Sequence, residues 1–402
     1  MSSPLTLNLL DPDFRRDPYP LLTELRAKEP VHKVKWGAWA ITRHADVMSV
    51  LRDKRMSRDM KNWSGYENKA TWKAHPEIAR LSGLYMMNTD PPNHNRLRGL
   101  MAHAFTPASV KGMLPMIEGV CDELLDGIED GVPFDFMERL ALPLPLKVIC
   151  GMFDFPYEDY PKLRKWSHAF APFVEMTVSS AQKDAMLGAG MEFFAYLGQF
   201  IARRRESPGT GLIDRLISAR LDGEKLTEDE LLMNVAGMLF AGHETTTNLI
   251  GNGFLALLRA PEQLQLLREH PEHIPNAVQE FLRYDGSSNI VIRVALEDLE
   301  LGNQTIKAGE VLMCMLGAAN RDPEVFPEPD RLDVTRSNVA HTTYGGGRHF
   351  CIGAQLANME AEALFTKALQ KFARFACDES RLKWLDRVNL RGLETFPVSA
   401  WR

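Results

Sequence analysis

The sequence predicts a mainly α-helical fold with small accessory β-sheets, and three observations carry that prediction. Helical periodicity runs through most of the chain, including one pattern of about 33 residues that follows Thr227. Strand-like pieces are few and short. No repeat, low-complexity tract or Gly/Ser linker divides the 402 residues, so a single domain over 1–402 is expected.

The long helical pattern has both its boundaries written in sequence. Thr227 followed three residues later by Glu230 is a capping-box signature, and Pro261 supplies the stop. A helix of that length spans roughly 50 Å and could cross a whole molecule. A membrane span is the competing reading, but Asn234, His243, Glu244 and Asn248 interrupt its middle and would be costly in lipid. A buried central helix is the better reading. The strand candidates are Ala38–Thr42, Ile290–Val294 and the stretch Gln304–Leu316, in which "KAGE" marks a hairpin-like turn.

Composition narrows the class. Hydrophobic residues make up 45% and charged residues 25% of the chain, and 47 basic against 53 acidic side chains leave a net charge of −6, which argues against nucleic acid as a partner. The five cysteines are odd in number and scattered, with no CxxC pair, so neither a disulfide scaffold nor a four-thiolate zinc site is expected. Prolines and charges in the first 20 residues break any signal-peptide pattern. The expectation is a soluble, cytoplasmic monomer.

One motif carries chemistry. In "TTYGGGRHFCIGAQLA", Cys351 stands in a glycine-rich turn before a helical run. Unpaired N–H groups at a helix N-terminus stabilise a thiolate, and Gly345, Gly346, Gly347 and Gly353 allow positive φ and close approach to a bulky flat group. An isolated Cys in such a turn is more often a buried structural residue, but this pattern is more organised than that. Thiolate ligation of a haem suits it better than nucleophilic catalysis, for which no partner base can be assigned.

Tyr344 to Gly353 resembles the haem-binding loop of the cytochrome P450 family, Phe-Gly-x-Gly-x-His-x-Cys-x-Gly, with Tyr344 in place of Phe. The resemblance implies a cytochrome P450 fold with haem b between the central helix and the Cys loop, Cys351 as the iron ligand, and the Tyr344 ring beside the sulfur. There the added hydroxyl would bear on the redox potential. "AGHETT" in the long helix resembles the family's oxygen-activating segment. Ala241 and Gly242 offer a smooth face to a planar cofactor, and Thr245 can bond back to the carbonyl of Ala241, opening a groove. By resemblance that groove holds dioxygen, with Thr245 and Glu244 delivering protons. Taken alone, "ETT" reads as a helix bend.

Haem propionates need cationic partners. After "DPP", with Pro92 suited to the first helical position, His94, Arg98, Met101 and Phe105 share one helical face. The resemblance assigns His94, Arg98, Arg293, His341 and His349 to the propionates. It also ties Glu280 and Arg283 of "EFLRY" to Arg331 as a structural triad, and it spans nearly the whole chain. The substrate pocket it implies includes Met86, Met87, Phe173, Met176, Met238, Ile290, Val291 and Phe396, apolar walls for a terpenoid, steroid, fatty acid or secondary metabolite.

A flavin or iron–sulfur module after the last helix is not expected, so the resemblance implies electrons from NAD(P)H through a flavin reductase and a ferredoxin. The ferredoxin is expected to dock near Arg96, Lys111 and Arg348. The resulting expectation is an O2-dependent monooxygenase hydroxylating a hydrophobic molecule. A peroxide-driven peroxygenase and a non-catalytic haem sensor or carrier are the alternatives; neither would need the Glu244–Thr245 pair.

Overall fold

In the computed structural model, which describes residues 5–66, 80–170, 175 and 180–402, the 31-residue helix Glu228–Leu258 runs through the core. Its start is the capping box read from sequence: the Glu230 N–H donates to Thr227 Oγ1 and the Thr227 N–H to Glu230 Oε2. It ends at Leu258, three residues before Pro261, which opens the next helix, Pro261–Glu269. At about 1.5 Å per residue the helix is about 46 Å long. Most of its residues are buried, Val235, Leu239, Ile250, Phe254 and Leu257 completely.

Helices Pro143–Phe153, Ile274–Asp285 and Ala354–Lys371 pack around it. Aromatic rings fill the joint between helices and C-terminal strands; Phe136 and Phe254 stack at 4.4 Å, with Phe396 tilted against both. Phe396 is fully buried in this cluster and does not reach the main cavity, so its expected place in the substrate pocket is corrected. One other helix, Ser180–Glu206, contains a segment long and apolar enough to cross a membrane. It buries Phe193, Leu197, Phe200 and Ile201 and ends in Arg203, Arg204 and Arg205.

The expected strands form, but one connection differs. Trp39–Ile41, Val311–Met315 and Ile290–Ala295 lie side by side in a five-stranded sheet completed by Val31–Lys33 and Met56–Ser57. The "KAGE" turn, with Gly309 at φ +81°, does not close a hairpin. Gln304–Ile306 pairs backwards with Leu299–Leu301, while Val311–Met315 pairs with Ile290–Ala295, placing Val291 opposite Cys314. The turn is a passage between two sheets.

The ionic cluster near the Cys loop also departs from expectation. Glu280 and Arg283, both with fully buried side chains, pair at 2.7 Å, and the third member is Arg336, whose Nε lies 3.1 Å from Glu280 Oε2. Arg331 is not in the triad. Its backbone carbonyl accepts from Arg283 and Arg336, which turns its 57%-exposed side chain outward to Glu328 and Asp333.

Candidate active site

A cavity of about 1200 Å³ lies between the central helix and the glycine-rich loop. On one wall the helix presents Met238, Ala241, Gly242 and Thr245; on another the loop presents Tyr344, Gly345, His349, Cys351 and Gly353. Met86, Met87, Ile290 and Val291 complete apolar surface, as expected. Phe173 and Met176 lie outside the described residues.

The loop is shaped by two glycines rather than four. Gly345 (φ +71°) and Gly347 (φ +63°) take the left-handed region, and a Cβ on Gly347 would meet the Leu51 carbonyl at 2.5 Å, whereas Gly346 is extended. The Cys351 N–H donates to the Tyr344 carbonyl, closing the loop at 3.0 Å. Cys351 is three residues short of the helix Ala354–Lys371. Burial pushes its thiol up, while N–H groups of Gly353 and Ala354 and the charge of Arg98 pull it down. With burial the larger effect, the helix terminus alone does not produce a thiolate; a cationic centre at the sulfur would.

Tyr344 does not aim its hydroxyl at that sulfur. The O–H donates to Asn358 Oδ1 at 2.6 Å, tying the loop to the following helix, and burial raises its pKa well above the usual range.

Thr245 donates to the Ala241 carbonyl at 2.6 Å, the back-bond expected. Gly242 lines the cavity beside Ala241, as expected, and it has a second use: a Cβ there would strike Ile149 Cδ1 at 2.7 Å, so the glycine also admits the neighbouring helix. Glu244 is corrected as well. Its carboxylate pairs with Arg387 at 2.6 Å, outside the cavity lining, with both side chains largely buried. Arg387 gave no sequence signal, since it lies 143 positions away in an irregular segment.

Cations gather at one end. Arg98 and Arg293 line the cavity, and neither forms an ion pair with a carboxylate among the described residues. Burial lowers the Arg293 pKa to about 10. The rings of His94 and His349 pack 4.2 Å apart, tilted by 55°, and the Nε2 of each is buried without a hydrogen-bond partner. Burial, followed by Arg293, pulls His349 down to about 2. Such orphaned donors and uncompensated guanidiniums fit the carboxylates of a haem, and the Cys351 thiol on the same cavity fits its iron. His341 is not part of this group: it stays off the cavity lining, with Nε2 3.3 Å from Gln279 Oε1 and Nδ1 accepting from the Thr343 N–H. Arg58, which the sequence reading missed, lines the cavity too.

At the outer face by the loop, Lys111 is exposed and Phe350 is 46% exposed. Arg96 is corrected: its guanidinium is held by Glu230 and Glu224, so it contributes no free charge.

These features agree with the comparisons. The family model described as Cytochrome P450 matches residues 4–389. Cytochrome P450 107B1 of Saccharopolyspora erythraea is 38% identical over 397 residues, 96% of each chain. The vitamin D(3) 25-hydroxylase of Pseudonocardia autotrophica is 36% identical over 401 residues, 98% of this chain and 96% of its own. The solved structure of the Bacillus subtilis cytochrome P450 PksS superposes with a TM-score of 0.90 at 35% identity, covering 99% of this chain and all of the other. A cysteine loop, a helix carrying the Thr245 back-bond and a cluster of arginines and histidines on one cavity, with a family match and relatives along nearly the full length, place this chain in the cytochrome P450 family.

Proposed function

We propose that this cytochrome P450 monooxygenase hydroxylates a hydrophobic small molecule, using O2 and two electrons from NAD(P)H passed through a flavin reductase and a ferredoxin. The observation that carries the reading is the sharing of one largely apolar cavity by the Cys351 thiol and the Thr245 groove. Haem b, when bound, supplies activation of dioxygen.

The residues divide the remaining work. Cys351 is the iron ligand. Arg98, His94, Arg293 and His349 would hold the propionates. Because Thr245 gives its proton to the Ala241 carbonyl, its oxygen faces the cavity as an acceptor and orients a proton donor there. Glu244 acts from behind the helix through its pair with Arg387. The apolar lining excludes water and leaves the substrate facing the helix groove. Lys111, Arg348 and the exposed Phe350 form the face offered to an acidic ferredoxin.

The test is spectroscopic. The reduced protein with carbon monoxide is expected to show the red-shifted Soret band of thiolate ligation, and Cys351→Ser is expected to lose it. Retention of the band in the variant would sink the assignment.

A further inference from the structure

The chain is acidic overall, at −6, yet the cavity lining is basic. Among the described residues it carries Lys35, Arg58, Lys61, Arg98, Lys183 and Arg293 against Asp59 and Glu175, an excess of four positive charges. Glu175 is already engaged by the backbone N–H groups of Val388, Asn389 and Leu390. Two haem propionates account for two of the four. Arg98 is a charged neighbour of His94, and Arg293 and then Arg58 are charged neighbours of His349, so three guanidiniums stand where two propionates would bind and an excess of two positive charges remains. Arg58 is the third of them.

Its geometry is that of a fixed, uncompensated cation. Nε donates to the Met87 carbonyl at 3.1 Å and Nη1 to the Ile292 carbonyl at 3.0 Å, pinning the guanidinium between the Met86–Asn88 turn and strand Ile290–Ala295. Both acceptors are neutral. Asp90, the carboxylate nearby, spends its oxygens on the Ser57 hydroxyl and the Arg58 backbone N–H. No carboxylate pairs with the Arg58 side chain among the described residues, and of its five N–H donors three remain unengaged there. A half-buried guanidinium with only neutral partners is poised for an anion, and a carboxylate is its bidentate match.

We infer that the substrate is an anionic amphiphile, its carboxylate held by Arg58 and its apolar body laid along the Met238–Thr245 wall. This rests on the monooxygenase reading above and narrows its substrate class. Lys35, Lys61 and Lys183 add positive potential along the same cavity and draw such a molecule toward it. Arg58 is therefore a specificity-determining residue.

The experiment compares dodecanoate with its methyl ester and with 1-dodecanol, titrated into the haem-loaded protein by calorimetry and by the spectral shift on displacement of iron-bound water. Dodecanoate is expected to bind about tenfold more tightly than the ester, with the preference shrinking as ionic strength rises. Arg58→Gln should abolish the preference, and Arg58→Lys should keep most of it. Equal binding of acid and ester, or a preference that survives Arg58→Gln, overturns the inference. If Arg58→Gln does not fold, the salt dependence in the unmodified protein and a reduced preference in Lys61→Gln decide; a salt-insensitive preference overturns it. The carbon monoxide spectrum of each sample separates the two readings. A thiolate band without acid preference removes the carboxylate inference alone, whereas acid preference without the band removes the monooxygenase reading alone.

Discussion

The Tyr344 hydroxyl donates to Asn358 Oδ1 at 2.6 Å, so the one residue that departs from the family loop pattern is tied to the helix behind the loop. The hydroxyl's proton is thereby committed to that amide and not to the Cys351 sulfur. Tyr344→Phe is expected to leave the carbon monoxide band where it is and to lower stability by about 1 kcal/mol in chemical denaturation, the net worth of a hydrogen bond. A shifted band with unchanged stability would show that the hydroxyl acts on the sulfur instead.

The Glu280–Arg283–Arg336 cluster sets up a sharper contrast. Removing one partner from a buried ionic group strands the others without compensation, at a cost of about 3–5 kcal/mol. Arg336→Ala should lose that much stability or fail to accumulate. Arg331→Ala, which removes an exposed side chain from surface pairs, should cost about 0–1 kcal/mol. Comparable losses in the two variants would contradict the arrangement.

That contrast also marks what sequence could and could not reveal. Local chemistry was legible: the Thr227 cap, the Thr245 back-bond and the Cys351 loop all depend on neighbours within a few positions. Long-range partner choice was not. Arg331 and Arg336 are five residues apart in an irregular stretch, where no period says which side chain turns inward. Glu244 was named by its motif, but Arg387 comes from 143 residues downstream and draws the carboxylate off the cavity. Phe396 has the composition of a pocket residue, and only the stacking of Phe136 and Phe254 shows it to be core. Arg58 has no partner at a regular spacing, so its significance appears only with the cavity around it.

Acid sensitivity is expected from His341. Burial first, and then the charge of Arg283, lowers its pKa to about 4 from the usual 6.5. Between those values the unfolded chain binds a proton that the folded protein refuses, so stability is complete above about pH 6.5 and falls as pH drops toward about 4. The residue keeps some solvent contact, and the loss is at most about 3 kcal/mol. Urea midpoints from pH 7 down to pH 4.5 should fall less steeply in His341→Asn than in the unmodified protein; parallel curves would assign the acid lability to other groups.

The roles of Thr245 and Glu244 separate by position. Thr245 lines the cavity, and its oxygen is aimed by the bond to Ala241, whereas Glu244 meets Arg387 outside the lining. Thr245→Ala should cut product formed per NAD(P)H consumed by about tenfold, the equivalent of one lost hydrogen bond of about 1.4 kcal/mol, while oxygen consumption continues. Thr245→Ser, which keeps the hydroxyl, should restore most of it. Glu244→Gln keeps an oxygen toward Arg387 and leaves the cavity wall intact, so its loss should be the smaller. If Glu244→Gln instead proves the more damaging with the carbon monoxide band preserved, the carboxylate must leave Arg387 during turnover and enter the groove, and the division of labour drawn from this geometry is wrong.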